Sequence, residues 1–128
     1  MARPKSSKAR KQRKYVRFAP LHIRRKLIAS HLSDELRKQY GVRALPIRKG
    51  DEVTVMRGKF RKRAGKVSRI NTKKYRVYVE GVVIKRTDGT ERQAGLHASN
   101  LLVTKLTLDD KKRAASLEKH KPAAKKVK

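Results

Sequence analysis

The residue types that most often carry catalysis or bind metals are few in this sequence and lie far apart. The four histidines, at positions 22, 31, 97 and 120, fall in different zones of the chain, with no cysteine and no carboxylate placed to complete a metal site. Asp51 and Glu52 are adjacent at the entrance of a predicted strand, where successive side chains point to opposite faces and so do not form a catalytic pair. The sequence therefore predicts neither an enzyme nor a metal site, and no cofactor or small-molecule substrate.

Positive charge is the dominant chemical feature of the chain. Its 128 residues include 38 Lys or Arg and 10 Asp or Glu, which gives a formal net charge of +28 at pH 7. Self-repulsion at this density opposes a compact fold, and a nucleic acid relieves it through Lys and Arg contacts to phosphates. The longest apolar runs are triplets such as residues 82–84, far short of the roughly 20 residues of a membrane-spanning helix. We therefore expect a polyanionic partner and no membrane insertion.

A basic loop between two predicted strands is the most informative local feature. Residues 48–67, RKGDEVTVMRGKFRKRAGKV, predict one strand that ends at Gly58 and a second that begins at Gly65. The loop between the two glycines presents four cations: Lys59, Arg61, Lys62 and Arg63. These charges could merely solubilise a hairpin, but the scarcity of acidic residues favours a contact role. The glycines open no helix and no Gly-Lys-Ser/Thr follows, which excludes a nucleotide-binding P-loop.

The segment before this loop divides into a basic arm, residues 1–19, and a helical region, residues 20–44. The arm contains eight Lys or Arg and no acid, so we expect it to be disordered in isolation and ordered by a phosphate backbone. A transit peptide is disfavoured because no apolar face precedes Tyr15. The spacing of Ile23 and Leu27 then predicts a short basic helix.

A second helix is predicted from its capping residues. Ser33 is a suitable N-cap, and Asp34 and Glu35 place negative charge in the first turn, where the helix dipole favours it. Leu36 and Tyr40 lie on one stripe with the leucine at position 32, and glycine at position 41 supplies a left-handed end.

Residues 45–105 have the alternating pattern of short strands. The predicted strands centre on five segments: residues 53–55, 67–70, 75–79, 82–86 and 101–103. The polar link at residues 71–74 and the Asp88-Gly89 pair predict turns that make consecutive strands antiparallel neighbours. About five short strands are too few for two large sheets, so a small closed or nearly closed barrel is the simplest architecture.

The C-terminal region, residues 106–128, is predicted to contain one helix and a basic tail. Thr107 to Asp110 resembles a capping box, which would start a helix running to about Lys119. Residues 121–128 combine Pro, Ala and Lys with no means of burying themselves, which predicts a flexible tail.

Several stretches together resemble one known family. Residues 48–67 resemble the KOW motif, and the similarity extends to residues 19–26 (APLHIRRK), 32–37 (LSDELR), 40–43 (YGVR), 46–48 (PIR), 89–90 (GT) and 95–100 (GLHASN). This pattern, over roughly positions 10–113, is similar to the large-subunit ribosomal proteins numbered twenty-four in the universal series and twenty-six in eukaryotes, of archaeal and eukaryotic type. One departure is Lys62, where that family usually has glycine.

The resemblance implies a mainly β fold, in which an SH3-like barrel of about five antiparallel strands carries short N-terminal helices, a C-terminal helix and basic extended tails. It further implies a structural constituent of cytoplasmic ribosomes that binds the 5′ region of large-subunit rRNA early in assembly, near the polypeptide exit tunnel, beside neighbouring large-subunit proteins. We expect RNA contacts from twenty residues: Arg10, Lys11, Arg13, Lys14, Arg17, His22, Arg24, Arg25, Arg43, Arg48, Lys49, Arg57, Lys59, Arg61, Lys62, Arg63, Lys66, Lys73, Lys74 and Tyr78. Tyr78 enters this set as a base-stacking candidate.

Two other classes of nucleic-acid-binding protein fit part of the pattern. Transcription elongation factors also carry KOW domains, but they normally couple the motif to another folded domain, whereas the upstream residues here form an arm and short helices. An architectural chromatin protein would bind duplex DNA with comparable affinity. An enzyme ranks third because no reactive constellation is present.

Overall fold

The computed structural model describes residues 3–120, which fold into four helices and one seven-stranded sheet. The helices are α1 (Ala9–Phe18), α2 (Leu21–Leu27), α3 (Asp34–Tyr40) and α4 (Lys111–Glu118). The mainly β fold with short N-terminal helices and a C-terminal helix is thereby confirmed. The predicted flexible tail, residues 121–128, lies outside the described residues.

Helix α1 replaces the arm that we expected over residues 9–18. Its residues have good helix propensity, and side chains bind backbone groups at both of its ends. The Gln12 amide donates to the carbonyl of Ser6 (2.8 Å), while Arg24 donates to the carbonyls of Arg17 (2.9 Å) and Ala19 (2.6 Å). The Tyr75 hydroxyl donates to the carbonyl of Val16 at 2.6 Å. These contacts to the C-terminal end of the helix involve residues from other elements, which a local sequence pattern does not contain.

Helices α2 and α3 form where their sequences predict them. The hydroxyl of Ser33 accepts a hydrogen bond from the backbone N–H of Leu36 at 3.4 Å, and Asp34 and Glu35 occupy the first turn of α3. Gly41 ends the helix with φ 66°, in the left-handed region. Both boundary predictions for α3 are confirmed.

The sheet contains two more strands than expected, and one neighbouring pair is parallel. Its strands are β1 (Ala29–Leu32), β2 (Ala44–Pro46), β3 (Glu52–Val55), β4 (Ala64–Asn71), β5 (Arg76–Lys85), β6 (Glu91–Leu96) and β7 (Leu101–Lys105). They are arranged in the order β2-β1-β7-β3-β4-β5-β6, and β1 pairs in parallel with β7 through His31 opposite Leu102. Strands β2 and β6 lie at the two edges, so the sheet does not close into a barrel.

Strand β5 and its two flanking turns differ from the sequence prediction in three details. The two strands expected over residues 75–79 and 82–86 form one ten-residue strand, whose pairing with β6 shifts register between Tyr78 and Val83. Gly81, with φ 76°, lies within this irregularity. Tyr75 belongs to the preceding turn, with φ 52°, rather than to the strand. The Asp88-Gly89 pair was expected to form a hairpin turn with positive φ at both positions. In the β5–β6 turn Gly89 has positive φ and Asp88 does not.

Alternating side chains of the strands build the core. Val53, Val77, Val79 and Leu101 are fully buried, and Leu32 joins them from β1. The core is made of aliphatic side chains of moderate size, as the absence of tryptophan predicts. It is large enough to fix the strands and, through them, the loops that connect them.

A buried ion pair attaches the C-terminal region to this sheet. The carboxylate of Asp51, just before β3, is fully buried and accepts hydrogen bonds from Nη1 (2.7 Å) and Nη2 (2.8 Å) of Arg113 in α4. It also accepts from the backbone N–H groups of Arg48 (2.9 Å) and Thr107 (3.0 Å). Such a bidentate pair with additional donors satisfies a buried carboxylate.

The same contacts show that the predicted capping box is wrong. The backbone N–H of Thr107 binds Asp51, and α4 begins only at Lys111. Asp110 is the N-cap, accepting from the backbone N–H of Lys112 at 2.8 Å. The helix ends at Glu118 with Lys119 as its C-cap, which confirms the predicted end near Lys119. Leu117 is buried near this end.

The basic loop, residues 56–63, has a backbone fixed by hydrogen bonds between its two ends. The N–H of Lys62 donates to the carbonyl of Val55, and the N–H of Val55 donates to the carbonyl of Arg63, both at 2.8 Å. Lys62 has φ 69°, a left-handed conformation that costs a residue with a Cβ atom roughly 1–2 kcal/mol. The structure thus explains why glycine suits this position, and the loop turns tightly here despite the lysine.

We predict that replacing Arg113 by Met destabilises the fold, because Asp51 would remain buried without its cationic partner. The free energy of unfolding, measured by urea titration, should fall by about 3–5 kcal/mol. The matched control is Arg37→Met, which removes an exposed i,i+3 pair with Asp34 (3.6 Å) and should cost less than about 1 kcal/mol. Equal losses for the two variants would contradict a structural role for the buried pair.

A second pair of variants tests the strained loop. Lys62→Gly should leave the free energy of unfolding unchanged or raise it by up to about 1 kcal/mol, because relief of the left-handed strain offsets the entropy that glycine adds to the unfolded chain. Arg61→Gly removes the same charge from the adjacent position, where φ is not positive, and should cost about 0.5–1 kcal/mol. Identical effects in thermal unfolding would show that the Lys62 backbone is not strained.

Candidate nucleic-acid interface

The four cations between Gly58 and Gly65 divide into three that face solvent and one that contacts the protein. Lys59, Arg61 and Lys62 are exposed along the turn. The guanidinium carbon of Arg63 lies 5.4 Å from the centroid of the Phe60 ring, and its Nη1 donates to the carbonyl of Gly81 at 3.2 Å. Phe60 in turn packs against the core. Arg63 and Phe60 therefore position the loop, and the other three cations form its outward-facing charge.

A second cluster of predicted residues lines a groove of about 610 Å³. It lies between the end of α2, the end of β2, the segment after β2, the end of β4 and the start of α4. Four cations contribute to its lining: Arg25, Lys26, Arg48 and Lys49. Lys26 was absent from the sequence-based set, although it lies in the same basic run as Arg25.

Helix α1 provides a third basic surface. Its five predicted residues, Arg10, Lys11, Arg13, Lys14 and Arg17, are all exposed, and no residue of the helix is buried. His22 and Arg25 are exposed on α2, whereas Arg24 is half-buried because it binds the carbonyls at the end of α1. Arg24 thus orients the two helices relative to each other.

Phe18, at the end of α1, is an aromatic residue that the sequence interpretation missed. Its side chain is 58% exposed, and the guanidinium carbon of Arg17 lies 5.7 Å from the ring centroid. An exposed ring beside cations is a suitable platform for a nucleobase. The sequence could have indicated this role, because Phe18 is an aromatic residue at the end of a basic segment that contains no Asp or Glu.

Tyr78 does not have the surface position expected of a base-stacking residue. It is 9% exposed, and the guanidinium carbon of Arg69 lies 4.6 Å from the centroid of its ring. The correction has a physical cause: Val77, Tyr78 and Val79 are all buried, so this part of β5 is covered on both faces. The remaining predicted residues are exposed: Arg43, Arg57, Lys66, Lys73 and Lys74.

Carboxylates neutralise very little of this predicted surface. Within residues 3–120, ion pairs shorter than 4.0 Å involve Arg37, Arg48, Lys85, Lys105 and Arg113, of which only Arg48 belongs to the predicted set. Its partner is Asp110, whose pKa is lowered by the hydrogen bond from Arg48 and by the backbone N–H of Lys112. Arg24 and Arg63 contact backbone carbonyls of the protein. The remaining predicted cations are exposed, have no carboxylate within 4.0 Å and are available to an anionic partner.

Metal-binding clusters and membrane-spanning helices are both absent from the described residues. Residues 3–120 contain no group of three His, Cys, Asp or Glu side chains that could hold a metal ion. None of the helices formed by these residues is both long enough and apolar enough to cross a membrane. The pKa of Asp88 is lowered, but the cause is local: the hydroxyl and backbone N–H of Thr90 donate to its carboxylate.

Comparison with known proteins identifies the family. Residues 6–120 match the family described as the eukaryotic ribosomal proteins L26 and their archaeal counterparts of the twenty-four series. The large ribosomal subunit protein uL24 of Korarchaeum cryptofilum is 46% identical over 115 residues, which cover 90% of this chain and 88% of that protein. The uL24 protein of Saccharolobus solfataricus is 45% identical over 116 residues, which cover 91% and 98% of the two chains. The resemblance inferred from sequence motifs is confirmed, and the chain belongs to this family of large-subunit ribosomal proteins.

Proposed function

We propose that this chain binds the rRNA of the large ribosomal subunit and joins several RNA segments, as a structural constituent of cytoplasmic ribosomes and not an enzyme. The observation that carries the proposal is the exposure of the predicted cations: of twenty predicted residues, eighteen are exposed, and only Arg48 has a carboxylate partner. A surface with so much uncompensated charge requires a polyanion. Membership of a ribosomal protein family supports rRNA as that polyanion.

The arrangement of charge supports binding to more than one RNA segment. The basic loop extends from β3 and β4, the groove lies between α2 and β4, and the basic face of α1 forms a separate surface. The sheet keeps these surfaces at fixed relative positions because its core is fully buried. Phosphates from different RNA helices, each bound to one surface, would then be held in a defined arrangement.

Three finer elements of the proposal follow from the family resemblance. The bound region is the 5′ part of large-subunit rRNA, the protein joins early in assembly, and it lies near the mouth of the polypeptide exit tunnel beside other large-subunit proteins. Binding to separated RNA segments is compatible with an early role, because a protein that joins segments stabilises the RNA fold on which later proteins assemble.

The rival functions are less consistent with the same observations. An elongation factor is disfavoured because residues 6–120, including the segment before the KOW-like loop, match the family of ribosomal proteins. A chromatin protein would bind duplex DNA as well as RNA, which the experiment described next measures directly.

We predict a steep dependence of rRNA affinity on salt concentration. If about ten phosphates are contacted, the binding constant should fall by about 10⁴ to 10⁵ between 50 and 200 mM salt, because each contact releases condensed counterions. Filter binding with a transcript of the 5′ region measures this slope, and duplex DNA of equal length is the control. A nearly flat curve would contradict phosphate-led binding, and equal affinity for DNA would favour the chromatin protein.

We also predict that the basic loop contributes to binding without contributing to the fold. The triple variant Lys59→Ala, Arg61→Ala, Lys62→Ala should weaken rRNA binding and reduce the salt slope by about three, one for each lost phosphate contact, with an unchanged circular-dichroism spectrum. Arg63 is retained because it packs on Phe60.

A matched control removes three charges elsewhere. Lys85, Arg86 and Arg92 are exposed at the β5–β6 hairpin and outside the predicted set, so their replacement by alanine should affect binding much less. Equal losses in the two triple variants would mean that binding depends on net charge alone. Loss of the folded spectrum in the loop variant would instead make the loop structural.

A further inference from the structure

The groove described above differs from the other basic surfaces because it is concave and partly apolar. Its apolar lining consists of Pro46, which is exposed, Ile70, which is half-buried, and Ile28 and Ile47, which belong to the buried core beneath it. Cations complete the lining. Its volume of about 610 Å³ lies within the range of roughly 300–1,000 Å³ that ligand sites in proteins occupy. Phosphates alone would leave Pro46 and the accessible part of Ile70 without a partner, so the groove suits a ligand that is both anionic and apolar.

We propose that this groove binds a single unpaired nucleotide of the rRNA, with the base against Pro46 and Ile70 and the flanking phosphates against the cations. The inference rests on the proposed function and specifies which RNA element this surface recognises. A base within a duplex has its faces covered by its neighbours, whereas a base in a loop or bulge can be turned outward and exposes both faces.

The charges at the groove suit the phosphates on either side of such a base. Arg25 and Lys26 come from the last turn of α2, and Arg48 and Lys49 follow β2. Asp110 is the carboxylate in the lining, and it forms an ion pair with Arg48. Arg25, Lys26 and Lys49 have no carboxylate within 4.0 Å among residues 3–120. Guanidinium groups also stack on nucleobases, which gives Arg25 a second mode of contact.

Backbone hydrogen bonds hold the groove open before any ligand arrives. The N–H of Ile47 donates to the carbonyl of Ile28 at 3.1 Å, which joins the end of β2 to the end of α2. The N–H of Gly50 donates to the carbonyl of Val67 at 2.9 Å, and the backbone N–H of Arg48 donates to the buried carboxylate of Asp51. A site fixed in this way binds without a large ordering cost.

The chemistry of the groove would also accept an acidic protein segment with apolar side chains. The net charge of +28 and the ribosomal family favour a polynucleotide, because RNA supplies a far higher density of negative charge than a protein segment. Crosslinks from the groove in assembled subunits distinguish an acidic protein segment from a nucleotide.

Photo-crosslinking of the full chain to rRNA tests the proposal without any substitution. A 5′-region transcript containing 4-thiouridine is bound at physiological salt and irradiated, and crosslinked peptides are identified by mass spectrometry. We expect crosslinks to residues 46–49 and 70–72 from uridines that are unpaired in the RNA. Tight binding with crosslinks only to the basic loop and α1, or with groove crosslinks only from base-paired uridines, would overturn the proposal.

A variant that fills the groove provides an independent test. Thr72 lines the groove and is half-buried, so Thr72→Trp should block the base without removing a charge. We expect about tenfold weaker rRNA binding with an unchanged salt slope, since a stacked base contributes about that much affinity. The control is Thr87→Trp, in the turn at the opposite end of β5, which should bind like the unmodified chain.

The outcomes separate the two levels of the proposal. If the unmodified chain fails to bind rRNA, the proposed function itself is wrong. If it binds, but Thr72→Trp binds equally well while remaining folded by circular dichroism, only the groove proposal is wrong. Groove crosslinks to an acidic segment of another protein in assembled subunits, together with unchanged RNA binding, would identify that segment as the occupant and equally overturn the nucleotide proposal.

Discussion

The buried carboxylate of Asp51 is the interaction on which the arrangement of this protein depends. In a chain with 10 acidic residues, this one accepts hydrogen bonds from Arg113 and from the backbone N–H groups of Arg48 and Thr107. It thereby joins the start of β3, the segment that borders the groove and the approach to α4. A buried ion pair often adds little net stability compared with apolar packing, but its geometry is demanding. Its main contribution here is to set where these three segments lie.

The fold tolerates its charge because cations are concentrated where the core is not. The buried side chains are mostly aliphatic, and the interior contains Asp51 and Arg113 as its oppositely charged pair among the described residues. The basic loop, α1 and the groove edge occupy turns and short helices around the sheet. Repulsion among these groups therefore acts mainly on segments outside the core. Binding to rRNA would relieve that repulsion, which couples the stability of the chain to its partner.

Sequence patterns predicted the features that depend on residues close to one another along the chain. Ser33 and Gly41 delimit α3 by local hydrogen bonds and backbone conformation, and alternation located β3, β4 and β7. Strands β1, β2 and β6 were missed. β1 pairs with the distant β7, β2 has three residues, and β6 buries Ala94 alone. Tyr78 was wrongly predicted to be exposed. Alternation along a strand indicates an exposed side chain only where one face of the sheet meets solvent.

The candidate site likewise contains one part that was predictable from contiguous sequence and one part that was not. The charge of the basic loop is contiguous in sequence and was predictable, whereas the groove combines four separate segments that only the fold brings together. The two surfaces also differ in what they require of geometry. Long flexible cations on a loop can reach phosphates in many arrangements, so they contribute affinity with little dependence on position. A groove accepts a base only if its walls are correctly spaced, which is the condition that the hydrogen bonds to Asp51 enforce. If the chain binds RNA as proposed, affinity and the register of binding would thus have separate structural origins.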